Sequence, residues 1–452
     1  MDRDKSLLGI SARRRPFDLA VIGGGATGAG IALDAASRKL DVLLLERDDF
    51  GESTSSRSTK IIHGGVRYLA QGRIGLVREA LRERAYLFQN APHLASRLAF
   101  FVPIENAFQR AKYFTGLKLY DMLTRKRRVD LCSWFGRAEF SNTVRVVHSG
   151  RCSGAMRYFD AQFDDTRLLI NILATAADSG AIILNYAEVV GLNKNNAGRL
   201  KSISFYDRES GQSHEVEAQA VVNATGAASD SLLKLDQPSH AKTILPSQGT
   251  HIVVAKGFLP GADALLMPRT PDGRIMFAIP WLDHVLIGPT DTPLIDPLDD
   301  PIPQGEEIEM ILKVTANYLR RAPVVSDILS SFAGIRPLVR ASTNSNTSKA
   351  SREHRIDTLP SGLVSISGGK WTTYRLMATQ CVDVIAANHN WHVIQSQTQQ
   401  LPMQSTITAG TGPSRFVNYG KQASALEEMI NDDRSLDEPL CDHLPYKNIH
   451  CV

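Results

Sequence analysis

Phe17-Asp18-Leu19-Ala20-Val21-Ile22-Gly23-Gly24-Gly25-Ala26-Thr27-Gly28 is the stretch that decides the fold. Its apolar half reads as a buried strand, and Gly23, Gly25 and Gly28 follow in G-x-G-x-x-G spacing. The first glycine permits a tight turn, the second lets a pyrophosphate approach the backbone, and the third lets a helix pack on the strand. The helix predicted over 26–37 would turn unpaired N–H groups and a partial positive charge toward phosphates. Residues 41–46 (DVLLLE) read as the next strand, completing a βαβ unit. Glu46 lies 18 residues past Gly28, where a carboxylate takes ribose hydroxyls and disfavours a 2′-phosphate. The unit is expected to bind a dinucleotide other than NADP; the glycines do not choose between NAD and FAD.

Working outward, 73–90 predicts an amphipathic helix with Ile74, Val77, Leu81, Ala85 and Phe88 on its buried face. Asp165 is expected to cap a helix that ends near Gly180, and 181–186 reads as a strand. A hairpin about 209–212 leads to the strand 220–223 and to Ala224-Thr225-Gly226. From Ser247 to Trp281, short β-rich runs between Gly and Pro turns suggest an antiparallel sheet of a second domain. A helix is expected over 306–320, a strand over 363–367, and a helix over 372–387 behind the turn Gly368-Gly369-Lys370. A short helix is expected around 423–430.

The chain has 452 residues, 43% hydrophobic and 22% charged, with a net charge of +4. That is an ordinary globular composition with room for two or three domains. The mild surplus of base does not argue for nucleic acid; it suits an anionic substrate or an acidic membrane surface. Five cysteines without a C-x-x-C pair argue against a disulfide framework or a zinc site, and no metal site is expected. The first fifteen residues lack the apolar stretch of a signal peptide, and no apolar run reaches transmembrane length, so membrane contact is expected to be peripheral. The basic stretch 112–128 (KYFTGLKLYDMLTRKRR) fits either an anionic bilayer or a solvated helix face.

Two further turns bear on chemistry. A strand ending in Asn223-Ala224-Thr225-Gly226 can lie against the adenine side of an extended dinucleotide. Gly368 and Gly369 before a helix allow backbone N–H groups to face an anionic ring edge, as a reduced flavin requires.

The stretch 54–69 (TSSRSTKIIHGGVRYL), then VNATG at 222–226, GTHIVV at 249–254, IGPTDT at 287–292, GIRPL at 334–338 and SGGKWTTYR at 367–375, resembles the FAD-dependent glycerol-3-phosphate dehydrogenases, in that family's order. The resemblance covers about 16–385. It implies an α/β flavoprotein like D-amino-acid oxidase, with a discontinuous Rossmann-like FAD-binding domain (16–95, 155–245 and 330–390). It also implies a mostly antiparallel β substrate domain (96–154 and 246–329) and a partial helical C-terminal domain (400–452). The implied activity is oxidation of sn-glycerol 3-phosphate to dihydroxyacetone phosphate by hydride transfer from C2 to FAD. Electrons would pass to a membrane quinone, and the implied location is the cytoplasmic side of the inner membrane. A homodimer is left open. Rival readings are an oxidase of the same substrate, an amine oxidase of similar fold, and a catalytically silent nucleotide-binding protein.

Residue by residue, the resemblance places Gly23, Gly25, Gly28, Glu46, Ser55, Ser56, Lys60, His63, Gly64, Gly226, Gly369 and Thr372 at the cofactor. It places Arg67, Tyr68, His251, Arg336, Arg352 and Lys370 on the substrate. Arginine forks suit a phosphate dianion. A histidine near its ordinary pKa of about 6.5 suits a general base. His251 is therefore expected to take the C2 hydroxyl proton, directly or through Arg67.

Overall fold

The fold is that of a computed structural model, which describes residues 2–69, 72–124, 131–148, 152–268, 275–340, 353–403, 416–440 and 446–451, without the side chains of Arg67, His450 and Cys451. Among the described residues, two sheets organise the chain.

The first sheet runs in the order His354–Thr358, Val364–Gly368, Ser213–Asn223, Phe17–Ile22, Val42–Leu45, Ile182–Leu184. The pairings of Phe17–Ile22 with Val42–Leu45 and with Ser213–Asn223 are parallel, as crossover helices require. Helices Ala26–Ser37, Asp165–Asp178 and Tyr374–His389 cover one face, with Leu19, Val21, Ile31, Leu168, Ala378 and Cys381 in the shared core. The antiparallel strands Ala187–Lys194 and Leu200–Asp207 fold over the other face, burying Ile203 and Phe205 against Phe17 and Leu43.

The second sheet is mostly antiparallel. Its order is Thr292–Pro293, Ile244–Ala255, His284–Gly288, Met276–Trp281, Ala264–Met267, Ala95–Ile104, Gly154–Phe163, Ile61–Ile62. Ile328–Val339 pairs along nearly all of Ile244–Ala255. Helix Gly305–Ala316 closes the core around Ile252, Val254, Ile311 and Val314.

Sheet membership divides the chain differently from the expected domain limits. Residues 155–163, assigned to the FAD-binding domain by the resemblance, lie in the strand Gly154–Phe163, which is hydrogen-bonded along its full length to Ala95–Ile104 in the second sheet. Ile61–Ile62 joins that strand, and Ile328–Val339 belongs to the second sheet as well.

Charge buried in pairs reshapes two of the predicted helices. Ile74–Asn90 buries Val77 and Leu81 as expected, but Ile74 and Ala85 face solvent, while Ala80, Glu83 and Leu87 face inward. Glu83 is buried because Arg375 meets it with two hydrogen bonds of 2.7 Å, which fasten this helix to Tyr374–His389. The helix Asp165–Asp178 is capped by Asp164, whose side chain accepts from Arg167 N, and not by Asp165. Asp165 points inward to Lys60. Beyond the second sheet, Tyr419 docks the segment after 416 onto the same helix: its hydroxyl accepts from Arg167 Nη2 at 2.8 Å under a guanidinium 3.9 Å from the ring centre.

Candidate functional site

The glycine turn is built from close backbone approaches. Gly23 sits at φ 110°, and a Cβ there would lie 2.6 Å from Ala224 O. A Cβ on Gly28 would lie 1.9 Å from Gly23 O. Gly25, the N-cap of Ala26–Ser37, has no side chain to cap the helix start, and the Ala26 N–H is met from outside the helix by Ser55 Oγ. Glu46 closes the turn: Oε2 accepts from Gly24 N at 2.5 Å and Oε1 from Asp48 N at 3.0 Å. Burial raises its pKa in spite of those donors. A glycine turn without side chains at a helix start, with a carboxylate at the next strand end, fits a dinucleotide pyrophosphate and ribose.

The segment 54–65 ties this cradle to the second sheet. Ser55 Oγ accepts from Ala26 N at 3.0 Å, and Ser55 O accepts from the Trp371 indole at 2.9 Å. Thr54 Oγ1 donates to Ile335 O at 2.6 Å. Lys60 donates to Asp165 Oδ1 at 2.6 Å and to Ser56 O at 3.2 Å. Its ammonium is thereby committed to a buried carboxylate, whose pKa burial raises and Lys60 partly restores. The carbonyl of His63 accepts from Thr372 Oγ1 at 3.5 Å, which places Thr372 against this segment. Gly64 N donates to Asp160 at 2.9 Å, and a Cβ on Gly64 would lie 2.2 Å from the Tyr120 hydroxyl. Asp160 also accepts from Tyr120 at 2.9 Å and from Arg84.

Two clusters of expected substrate residues lie beside this segment. In one, the Lys370 ammonium stands 3.9 Å from the centre of the Tyr68 ring, in an open pocket also lined by Leu76, Glu79, Glu353, His354 and Thr373. Gly369 at φ 84° and Gly226 at φ 58° form the turns after their strands. In the other cluster, Arg336 lies across Gly249, where a Cβ would lie 2.3 Å from Nη2. It donates to Thr290 O at 2.8 Å and to Gln248 O at 3.3 Å, and Asp291 stands 3.4 Å from Nη1.

His251 is 2% exposed. Its Nε2 is 3.0 Å from Thr59 Oγ1 and its ring stacks on Phe332 at 4.9 Å, while Nδ1 is buried without a hydrogen-bond partner among the described residues. Burial first, then the charges of Arg336 and Lys60, push its pKa down to about 3. The ordinary imidazole value expected from sequence is corrected on that ground. His251 is neutral, with Nδ1 unpaired among the described residues. Arg67 lies on the short helix Val66–Leu69, with its side chain outside the described residues, as is Arg352.

Residues that sequence reading passed over, or in the case of Asp165 read only as a helix cap, supply the support. Asp160, Asp165 and Glu307 are buried carboxylates with partners far away in the chain. No spacing pattern marks them. The one available signal, Glu307 three residues after Gln304, reads only as a helix start.

The sequence pattern of the FAD dependent oxidoreductases matches residues 18–373. Mitochondrial glycerol-3-phosphate dehydrogenase of Homo sapiens is 40% identical over 402 residues, covering 86% of this chain and 55% of that protein. The chain thus spans about half the length of that relative. The crystal structure of the glycerol-3-phosphate dehydrogenase from Bacillus halodurans complexed with FAD superposes with a TM-score of 0.73 at 30% identity, over 96% of this chain and 75% of that one. An L-alpha-glycerophosphate oxidase from Mycoplasma pneumoniae shares the fold, with a TM-score of 0.67 at 17% identity over 86% of this chain and 99% of that one. The fold and cradle thus define an FAD dependent oxidoreductase by family. Within that group, the chain belongs to the FAD-dependent glycerol-3-phosphate dehydrogenase family.

Proposed function

We propose that the chain binds FAD and oxidises sn-glycerol 3-phosphate to dihydroxyacetone phosphate. The observation that carries this reading is the Arg336 guanidinium, held over Gly249 by two carbonyls, in the same polar cluster as the neutral, buried His251. The FAD-bound relative from Bacillus halodurans and the 40% identity to the human dehydrogenase support it.

The pyrophosphate would rest on the 23–28 turn, and Glu46 would hold a ribose. Bound FAD supplies a two-electron acceptor. Arg336 would bind the phosphate dianion, as the resemblance implies; Lys370, which stands over Tyr68 in the other cluster, is the second cation that the resemblance assigns to the substrate. His251 accepts the C2 hydroxyl proton at a ring nitrogen. Its low pKa makes it a weak base in the empty pocket. A dianion paired to Arg336 offsets part of the field that disfavours its charged form, so substrate binding itself raises its basicity.

Electrons would leave to a quinone in a bilayer. Helix Ala107–Leu123 supports a peripheral membrane contact: Phe108 and Met122 are 79% and 77% exposed and nearly four turns apart on one side, with Lys112 beside them. Among the described residues, no helix is long and apolar enough to cross a membrane.

The test is dye-coupled turnover by the FAD-loaded chain. The reading expects reduction with sn-glycerol 3-phosphate and none with glycerol or glycine. Turnover with glycine alone would replace it with an amine oxidase, and peroxide release without dye would make oxygen the acceptor.

A further inference from the structure

Glu307, on helix Gly305–Ala316, is 5% exposed and is saturated with donors. Oε2 accepts from Thr250 Oγ1 at 2.6 Å, Gln248 Nε2 at 2.7 Å and Gln304 N at 3.1 Å. Oε1 accepts from Thr292 Oγ1 at 2.6 Å and Thr290 Oγ1 at 2.8 Å. Burial pushes its pKa up, but the combined hydrogen bonds from Thr250, Thr292, Gln304 and Gln248 outweigh burial and hold it below the ordinary carboxylate value.

A helix start needs only the bond to Gln304 N. The other four donors sit on the two segments that hold Arg336. Gln248 and Thr290 offer Arg336 their carbonyls, and Asp291, between Thr290 and Thr292, is its carboxylate neighbour. Thr250 immediately precedes His251, and the two segments are cross-linked by Thr250 N to Thr290 Oγ1 at 2.8 Å and Thr290 N to Thr250 O at 3.1 Å.

We propose that Glu307 is a positioning residue: its carboxylate gathers residues 248–250 and 290–292 around one anchor, and so sets where Arg336 and His251 stand toward a phosphate-bearing alcohol. This rests on the roles proposed above for Arg336 and His251. Glutamine at 307 keeps the shape but removes the charge and brings an amide N–H₂ to hydroxyls that now donate, so some donors must turn away. The segments then relax, and a small displacement of a binding group is costly in affinity.

The experiment compares the FAD-loaded full chain with Glu307→Gln, Thr292→Val and Arg336→Ala. The readouts are KM and kcat for sn-glycerol 3-phosphate, the inhibition constant of inorganic phosphate, FAD content and Tm. Glu307→Gln should raise KM and the phosphate constant about tenfold with FAD content unchanged, as expected for losing a charged hydrogen-bond anchor. Thr292→Val removes one donor from the two-residue strand at the end of the second sheet and should raise both about threefold. It decides the matter if Glu307→Gln does not fold. Lowered Tm with KM and the phosphate constant within twofold of the parent in the folded variants would overturn the inference and leave Glu307 as packing only. If the parent turns over and Arg336→Ala loses phosphate affinity while Glu307→Gln and Thr292→Val do not, the inference alone fails. If the parent shows no turnover and no phosphate binding, the function proposed for the site fails and takes this inference with it.

Discussion

The dinucleotide turn and the Arg336 pocket are assembled in opposite ways. The turn is one unbroken stretch, Phe17 to Gly28, that works through close backbone approach and the absence of its own side chains, with Glu46 and Ser55 meeting its N–H groups from outside. The pocket draws single side chains from 57–60, 248–251, 290–292, 304–307 and 332–336, held by hydroxyls, amides and buried carboxylates. A backbone cradle tolerates no added atom. A side-chain pocket tolerates local change but depends on a supporting shell of satisfied polar groups.

That contrast is open to attack first through the buried ion pair of the dinucleotide half. Arg375→Ala would leave Glu83 buried and without its bidentate partner. Chemical denaturation should show a loss of about 3–5 kcal/mol. A loss under about 1 kcal/mol would mean that the pair behaves like a surface contact.

A smaller effect on stability, but a specific one on cofactor, is expected at Gly28. Alanine there puts a Cβ 1.9 Å from Gly23 O, and either the helix or the turn must shift. Overpacking of this kind costs about 1–3 kcal/mol. FAD titration should show weakened binding together with the stability loss. Unchanged FAD affinity would remove the turn from the cofactor site.

The Arg336 pocket offers a pH test. His251 is neutral when folded, with its pKa held at about 3, whereas the unfolded chain takes a proton near the ordinary 6.5. Below that value the unfolded state binds the extra proton, so acid destabilises the fold through the window from 6.5 down to about 3. The slope from this one group is about 1.4 kcal/mol per pH unit. His251→Gln should flatten the pH dependence of stability by that amount. An unaltered slope would mean that the histidine is protonated in the folded protein.

The same contrast sets how much could be read before the fold was known. Phe17–Ile22, Ala26–Ser37 and the turn between them are legible because their signals are contiguous and their period is short. The buried face of Ile74–Asn90 was only half legible: Glu83 and Arg84 look solvent-facing until Arg375 and Asp160 arrive from far along the chain. Asp164 and Asp165 are equivalent as letters, yet one caps a helix and the other neutralises Lys60. Gly154–Phe163 carries no mark of its partner, so its place in the second sheet followed only from pairing with Ala95–Ile104. Motif resemblance singled out Arg336, His251 and Lys370, but not what holds them. Glu307 gathers donors from Gln248 to Gln304, a separation across which single-residue signals do not add up to a pattern.

The central claim is that a phosphate-bearing secondary alcohol delivers its electrons to FAD held by this chain. The most direct measurement is the anaerobic visible spectrum of the FAD-loaded protein before and after sn-glycerol 3-phosphate. The account predicts that the flavin band near ~450 nm bleaches with that substrate and persists with glycerol. A yellow protein whose band survives saturating sn-glycerol 3-phosphate would contradict it.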